Sequence, residues 1–302
     1  MSISLSEAKK FASGAASLDF AIAPDYTVVA AWLARRSSSL MSSYGVPEAD
    51  NQLRWSDKPN TYDDGMDPSI AVSGSGKLLE IHESDGPFTT QMWYHIGTAN
   101  KNVIDYKKSI RVGMDDDTYG GGNPCIRINN EGTVVALFQT DSHLMLLHYL
   151  VGSIVGNIVQ WGSVHDLPMG MRAISPRFAL NNKHLMVSAF FSNNLFDSNM
   201  VIATALVSGG TINYQAFETS MEGMFPSVAL DDTGRVYLMY QKGSSIYFRS
   251  GQVHEETFVI NWDSEPKRIA EGYRTALAVR DNLLVYGYVD DDNNAYCGTA
   301  VI

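Results

Sequence analysis

Several features that place a protein in a familiar class are scarce or missing in this 302-residue sequence. No apolar run is long enough to span a bilayer. The two cysteines, Cys125 and Cys297, are too few for a disulfide framework or a cysteine metal cluster. The start, MSISLSEAKKFASG, lacks the charged-then-apolar order of a signal peptide. We therefore expect a cytoplasmic or non-classically secreted protein with two ordinary, buried thiols.

Positive charge is also in deficit. The chain has 22 Lys and Arg against 33 Asp and Glu, a formal net charge of -11. A nucleic-acid backbone and an anionic membrane surface both require a basic face, so we predict no nucleic-acid partner and no membrane insertion. Acidity of this size favours solubility, and it leaves homo-oligomerisation open.

Signatures of catalysis are scarce as well. The sequence has no Gly-x-Ser-x-Gly elbow, no His-Glu-x-x-His motif and no phosphate-binding glycine loop. Its seven histidines are scattered, with no pair at metal-ligand spacing along the chain. The sequence therefore predicts no metal and no cofactor, and it favours a binding protein over an enzyme.

A repeat is the main feature that is present. The stretch DPSIAVSGSGKLLEIHES from Asp67 returns as NPCIRINNEGTVVALFQT from Asn123 and as FPSVALDDTGRVYLMYQK from Phe225. Six such units follow one another at a period of about fifty residues, a length typical of propeller blades. Their motifs begin near Leu18, Pro68, Pro124, Pro176, Pro226 and Thr275.

Each unit has the pattern of four short strands joined by turns rich in Gly, Asn and Asp. The sequence therefore predicts an all-β, six-bladed β-propeller with four antiparallel strands in each blade. The last unit stops after three strands, at AYCGTAVI, whereas ISLSEAKKFASG at the N-terminus aligns with a fourth strand, INWDSEPKRIAEG. Residues 1–14 are expected to complete the last blade and close the ring, which makes 1–302 one domain.

Positions at which one unit departs from the repeat are candidates for function. On the second strand, His82 replaces an aromatic residue of the other units, and Glu80 is the one charged residue two positions earlier. On the first strand, which lines the channel of a propeller, Arg127 stands where the other units have alanine. Asp19 and Arg177 lie two residues earlier on the same face of their own units.

Two interpretations of these departures compete. Blade two adjoins blade three, so Glu80 and His82 are expected to approach Arg127. A buried ion pair between blades is the favoured interpretation. The other is a polar pocket in which Glu80 is a general acid or base, His82 is its partner and Arg127 is an anion clamp. Asp19 would then be the second carboxylate that a glycoside hydrolase requires.

Aromatic residues of the outer strands supply a further set of candidates. Trp93, Tyr94 and His95 are assigned to blade two alone, the blade that also carries Glu80 and His82, and we predict that they contact a ligand. Four other aromatics of the outer strands recur at one blade position, which indicates packing between blades; they are Trp55, Trp161, Tyr214 and Trp262. The acidic run YDDGMD, from Tyr62 to Asp67, has no calcium-loop spacing and is interpreted as a solvated loop.

PSIAVSGSGKLLEIHES followed by MWYHIG resembles repeats of bacterial and fungal β-propeller proteins, among them propeller lectins. The resemblance covers the blade layout of nearly the whole chain, and it implies ligand pockets between blades or at the channel mouth. No lectin sugar-binding motif matches residue by residue. We predict a carbohydrate-binding protein with a glycan or small-molecule ligand. The alternatives are an enzyme with one asymmetric pocket near the channel and a scaffold that binds another protein, such as a toxin component.

Overall fold

Alternating apolar residues between Gly, Asn and Asp turns give antiparallel strands throughout the chain. The computed structural model describes residues 3–49, 52–84, 91–100, 103–114, 120–140, 145–167, 173–192 and 199–302, the side chain of residue 220 excepted. Within these ranges the strands form six sheets, and no helix is present. The same ranges therefore contain no helix long and apolar enough to cross a membrane. The protein is an all-β, six-bladed propeller, as the repeat predicts.

The first three blades each have four strands in sequence order and a short fifth strand that also pairs with the third. Blade one contains β2 (Ala15–Ile22), β3 (Val28–Ala34), β4 (Ser39–Pro47), β5 (Leu53–Trp55) and β6 (Asn60–Asp64). Blade two contains β7 (Met66–Val72), β8 (Lys77–Glu83), β9 (Met92–Asn100), β10 (Val103–Tyr106) and β11 (Ile110–Arg111). Blade three contains β12 (Gly122–Ile128), β13 (Thr133–Gln139), β14 (Leu147–Val155), β15 (Ile158–Trp161) and β16 (His165–Asp166).

Blades four and five also have four strands in sequence order, and blade five has the short fifth strand as well. Blade six takes its outer strand from the other end of the chain. Blade four contains β17 (Ala173–Leu180), β18 (Leu185–Ser192), β19 (Asn199–Ser208) and β20 (Thr211–Glu222). Blade five contains β21 (Met224–Leu230), β22 (Arg235–Lys242), β23 (Ser245–Val253), β24 (Ile260–Trp262) and β25 (Lys267–Glu271). Blade six contains β26 (Tyr273–Arg280), β27 (Leu283–Val289), β28 (Asn294–Val301) and β1 (Lys9–Ser13).

The ring closes through β1, which pairs antiparallel with β28 from Lys9 opposite Cys297 to Ser13 opposite Asn294. Phe11 of this strand stacks on Trp55 of blade one, with ring centroids 4.3 Å apart. The N-terminal strand therefore completes blade six and also packs against blade one. This confirms the predicted closure, in which β1 covers the outer edge of β28.

The hydrophobic core is divided among the blade interfaces. Within the described residues, each of the six interfaces has its own cluster of buried apolar side chains. The cluster between blades one and two has small members, including Ala21, Ala23, Ala31 and Ala99. Less apolar area is therefore buried at this interface than where Phe and Tyr side chains fill the gap.

Aromatic residues of the outer strands lie over glycines of the third strand. Gly45 pairs with Trp55, Gly152 with Trp161 and Gly251 with Trp262. A Cβ at Gly45 would lie 3.1 Å from the Trp55 ring, so the ring occupies the space that a side chain would take. This arrangement gives the recurring tryptophans the packing role that their regular spacing indicates.

Candidate functional site

A polar cluster fills the part of the interface between blades one and two that apolar side chains leave open. Tyr62 and Asp63 come from β6 of blade one, and Glu80, His82 and His95 come from β8 and β9 of blade two. Glu80 and His82 are 0% and 2% exposed, whereas the side chain of Asp63 is 30% exposed. The cluster therefore connects the buried interface with the outer edge of the two blades.

Hydrogen bonds fix the orientation of each ring in this cluster. Tyr62 Oη donates to Glu80 Oε1 at 3.0 Å, and His82 Nδ1 lies 3.1 Å from Glu80 Oε2. His95 Nδ1 lies 2.6 Å from the carbonyl oxygen of Lys107. The Nε2 atoms of His82 and His95 both face Asp63 Oδ2, at 3.7 and 2.9 Å. Ligand atoms of these three residues all lie within 4.8 Å of one another.

The electrostatics of the cluster favour positive charge on the His82 ring. Burial by itself lowers the pKa of His82, but the Glu80 and Asp63 carboxylates outweigh burial and raise it. Burial alone would raise the pKa of Asp63, yet the backbone N–H of Asp64 and the His95 ring lower it. Two carboxylates beside two imidazoles therefore make this interface an electronegative enclosure.

Gly65 explains how the His82 ring fits into the interface. A Cβ at this position would lie 2.6 Å from His82 Cδ2 and 2.7 Å from the backbone oxygen of Glu83. Gly223 has the same relation to the ring of Tyr240, where a Cβ would lie 2.5 Å from Cδ2. His82 thus occupies the site of a repeated aromatic ring, and the glycine is required by this close approach rather than by its backbone conformation.

A Gly65→Ala variant is expected to be destabilised by about 1–3 kcal/mol, because the backbone oxygen of Glu83 cannot move away as a flexible side chain could. Gly113→Ala is the matched control, since a Cβ there has no neighbour within 4 Å among the described atoms. Urea midpoints of the two variants provide the comparison. Equal midpoints would show that the interface is loose enough to accept a methyl group.

Arg127 lies in a different cluster from Glu80 and His82. Its guanidinium binds Asp19 with two hydrogen bonds, Nη1 to Oδ2 at 3.0 Å and Nη2 to Oδ1 at 3.2 Å. Asp19 also accepts hydrogen bonds from Ser69 Oγ at 2.7 Å and from the backbone N–H of Phe20 and Ile70 at 3.0 Å. Arg127 and Asp19 therefore form a buried ion pair that joins blades one, two and three.

The expected approach of Glu80 and His82 to Arg127 is corrected by the direction of their side chains. Leu79 and Ile81 of the same strand pack against blade three, in a cluster that includes Ile126. Side chains alternate along a strand, so Glu80 and His82 point to the opposite face, towards blade one. Asp19 takes the place predicted for Glu80 as the partner of Arg127. The proposed catalytic set is therefore divided between two separate clusters, Glu80 with His82 and Arg127 with Asp19.

Side chains alternate along β9, so Tyr94 points to the face opposite that of Trp93 and His95. The Tyr94 hydroxyl accepts a hydrogen bond from the backbone N–H of Val159 in blade three, at 3.2 Å. Tyr149 of blade three repeats this contact with Ile212 of blade four, at 3.3 Å. Tyr94 is therefore a repeated packing residue and is not confined to blade two. Trp93 pairs with His82 across the sheet and is partly buried.

Arg177 lies at one mouth of the channel. Its side chain is buried, and Nη1 donates to the backbone oxygen of Pro176 at 2.8 Å. It lines a small depression with Arg274, whose guanidinium stacks on the Phe225 ring at 4.5 Å. Burial, together with the nearby Arg177, lowers the pKa of Arg274 against the opposing effect of Asp67. This mouth therefore has a local excess of positive charge in an acidic protein.

The opposite mouth of the channel contains a cavity of about 460 Å³. Alanines of the first strands line it, and Arg127 is the long side chain at the equivalent position of blade three. Arg280 crosses it to donate to the backbone oxygens of Ile22 at 2.8 Å and Val72 at 3.2 Å. Both guanidiniums donate to groups of the protein itself, Arg127 to Asp19 and Arg280 to these two carbonyls.

A groove between blades four and five is the site that the sequence did not indicate. It has a volume of about 470 Å³ and is lined by Phe217, Glu218, Phe258 and Trp262, with Thr204 at its base. Glu218 Oε2 accepts a hydrogen bond from Trp262 Nε1 at 2.9 Å. Phe217 is 37% exposed at the rim. Glu218 and Phe217 lie in the outer strand, where the repeat is too weak to make a departure visible.

Comparison with known proteins supports the fold. No family model matches the chain. No curated protein matches it either. Among solved structures, an α-L-arabinanase of Penicillium chrysogenum has a TM-score of 0.66 at 12% identity, over 98% of both chains. A Hadza microbial sialidase has a TM-score of 0.69 at 11% identity, over 94% of this chain and 65% of the other.

The six-bladed fucose-recognising lectin of Aleuria aurantia has a TM-score of 0.62 at 9% identity, over 95% of this chain and 93% of the lectin. At these identities the likeness shows the fold alone. The chain is a six-bladed β-propeller, and proteins of similar fold include lectins and enzymes named for sugar substrates.

Proposed function

We propose that this protein binds carbohydrate and that the groove between blades four and five is its sugar pocket. The observation that carries the proposal is the combination in one groove of three aromatic rings and a carboxylate, from Phe217, Phe258, Trp262 and Glu218. A pyranose ring has an apolar face that stacks on aromatic rings and hydroxyls that donate to carboxylates. The groove volume of about 470 Å³ lies in the range typical of small-molecule sites.

The environment of Trp262 supports a single pocket rather than six. Arg249 stacks over its ring at 4.7 Å, and Glu218 binds its indole N–H. All three equivalent tryptophans, Trp55, Trp161 and Trp262, pack against the hydrophobic clusters of their own interfaces, so these two polar contacts are what distinguish Trp262. We therefore expect about one sugar per chain. The Aleuria aurantia lectin of similar fold is a six-bladed propeller that recognises fucose, which supports this proposal.

The binding test begins with a glycan array and continues with calorimetry on the best ligand. Glu218→Gln keeps the shape of the side chain and is expected to weaken binding roughly 10- to 100-fold, the effect of a lost charge-assisted hydrogen bond. Phe217→Ala is expected to cost up to roughly tenfold, because one stacking surface is removed. Stoichiometry near one per chain is the second expected result.

Ile158→Ala is the matched control, because Ile158 is an exposed apolar residue of the outer strand of blade three, away from the groove. Its binding is expected to equal that of wild type. A glycan that binds wild type and both groove variants equally would move the pocket elsewhere. An array without any specific glycan would overturn the proposal. The channel would then be searched for a substrate, and the whole protein would be tested for a protein partner.

The residues selected from the sequence remain a separate prediction as sugar ligands. Glu80, His82, Tyr94 and Arg127 are buried or largely buried and already hydrogen-bonded within the protein. Trp93 is the most accessible member of blade two, so a Trp93→Ala variant tests that prediction directly in the same calorimetric assay.

A further inference from the structure

The geometry points to a metal site between blades one and two, in which Asp63, His82 and His95 bind one divalent transition-metal ion of the zinc class. The site is independent of the sugar pocket, since it lies at another interface of the ring. It also differs from the expectation of no metal, which rested on spacing along the chain. His82 and His95 are diagonal neighbours on adjacent strands, because Glu80 lies directly opposite His95 and Trp93 directly opposite His82.

The ring nitrogens that face away from Asp63 have the partners that metal-binding histidines use. His95 Nδ1 donates to the carbonyl oxygen of Lys107, and a carbonyl can only accept. His82 Nδ1 donates to the Glu80 carboxylate in the same way. Metal-binding histidines almost always donate their second N–H to a carboxylate or a backbone carbonyl, which fixes the tautomer. Both rings therefore present Nε2 to the same point.

The distances at that point suit a small cation. Asp63 Oδ2 is 2.9 Å from His95 Nε2 and 3.7 Å from His82 Nε2. Ligands around a tetrahedral zinc ion at 2.0–2.1 Å are separated by about 3.3 Å, and the two distances bracket this value. Small rotations of the side chains would equalise them. Glu80 holds His82 and does not need to bind the ion, so it is a positioning residue.

The donor set selects the class of ion. Two imidazoles and one carboxylate suit Zn²⁺, Co²⁺, Ni²⁺ and Fe²⁺, whereas Ca²⁺ and Mg²⁺ require oxygen ligands. Three protein ligands leave a tetrahedral ion with one position for water. Asp63 is 30% exposed, which gives the ion a path from the outer edge of the blades. The ion would bind blade one to blade two at the interface whose apolar cluster is built largely from small side chains.

The test uses the full chain, stripped of metal with a chelator and titrated with Zn²⁺ in a calorimeter and with Co²⁺ in a visible spectrometer. We expect one ion per chain, a tetrahedral cobalt spectrum and a rise in melting temperature with Zn²⁺. Ca²⁺ and Mg²⁺ are expected to produce neither heat nor stabilisation at the same concentrations.

Asp63→Asn is the main variant, because its partial exposure makes folding tolerant of the change. It is expected to weaken Zn²⁺ binding by more than the roughly 10- to 100-fold that loss of an outer-shell partner costs. Glu80→Gln should fall within that roughly 10- to 100-fold range, since a glutamine oxygen still accepts from His82 Nδ1. Circular dichroism of each variant establishes that the fold is retained.

His148→Gln is the matched control. His148 is a buried histidine whose Nδ1 lies 2.8 Å from one carboxylate, that of Asp166, on blade three. Its Zn²⁺ affinity is expected to equal that of wild type. The proposal is overturned if wild type binds none of the transition ions, which would make the cluster a proton-linked network. It is also overturned if folded Asp63→Asn binds Zn²⁺ as tightly as wild type does.

Discussion

An Arg127→Met variant is expected to be less stable than wild type by about 3–5 kcal/mol, the cost of removing one partner from a buried ion pair. The side chains of Arg127 and Asp19 are 13% and 2% exposed. Methionine fills much of the space but leaves the Asp19 carboxylate without its cation. The hydrogen bonds that Asp19 accepts from Ser69, Phe20 and Ile70 would still stabilise this carboxylate in part.

Arg127→Lys separates charge from geometry. Lysine keeps the positive charge but cannot form the two parallel hydrogen bonds that Arg127 makes to Asp19. The free energy of unfolding of Arg127→Lys should therefore lie between those of wild type and Arg127→Met. Urea midpoints, followed by both fluorescence and circular dichroism, measure the series and show whether unfolding stays in one step.

Arg177→Met is the matched control for this series. Arg177 is also a buried arginine of a first strand, but its described hydrogen bond goes to the backbone oxygen of Pro176, and it lies close to the like-charged Arg274. Its replacement relieves repulsion and is expected to cost far less than Arg127→Met. Equal losses of stability for the two variants would mean that the ion pair with Asp19 makes no contribution of its own.

The same variants test whether Arg127 contributes to sugar binding or only to the stability of the fold. Arg127 and Asp19 connect blades one to three, whereas the sugar groove lies between blades four and five. Sugar affinity of Arg127→Met is therefore expected to equal that of wild type at temperatures where both are folded. A loss of sugar binding in a folded Arg127→Met variant would move the pocket to the channel, as an enzyme-like asymmetric site requires.

The repeat made the fold predictable because every blade repeats the same arrangement of strands and turns. Matching of the two chain ends was enough to predict closure, since only a ring pairs a last blade with the first residues. The repeat also identified Glu80, His82 and Arg127 as departures from its pattern. It could not assign their partners, because alternation along a strand shows which residues share a face but not which neighbouring blade that face meets.

Asp63 and Glu218 show why the rest of the candidate sites could not be predicted. Both lie on outer strands, where the sequences of the blades diverge. Asp63 belongs to an acidic run interpreted as a solvated loop, yet β6 carries it onto the edge of the next blade, beside His82 and His95. Sites between blades are formed by residues that are distant in sequence, so no local motif reports them.

Backbone geometry at the start of the inner strands is repeated from blade to blade. In five blades the residue before the repeat motif has positive φ beside a register shift; these residues are Asp67, Asn123, Ser175, Phe225 and Arg274. Such bulges bend a strand and re-aim its side chains. Because the bulge is repeated, its strain belongs to the architecture, and Phe225 or Arg274 cannot be assigned a function from it alone.

Removal of residues 1–13 is expected to change the melting temperature and the association state of the protein more than any substitution discussed above. The truncation deletes β1, exposes the edge of β28 and removes the stack of Phe11 on Trp55. An exposed edge strand pairs with other chains, so the truncated protein should melt at a lower temperature and self-associate. Melting curves and light scattering after gel filtration measure the two effects.

A synthetic peptide of residues 3–14 makes the argument about closure specific. If β1 closes the ring by strand pairing, the peptide should bind the truncated protein, restore its melting temperature and return it to the association state of the full chain. A peptide with Phe11→Ala keeps the backbone pairing with β28 but loses the Trp55 stack, so it should restore less. A truncated protein with the melting temperature and association state of the full chain would show that the other strands hold the ring without β1. Rescue by both peptides to the same extent would assign closure to backbone pairing alone.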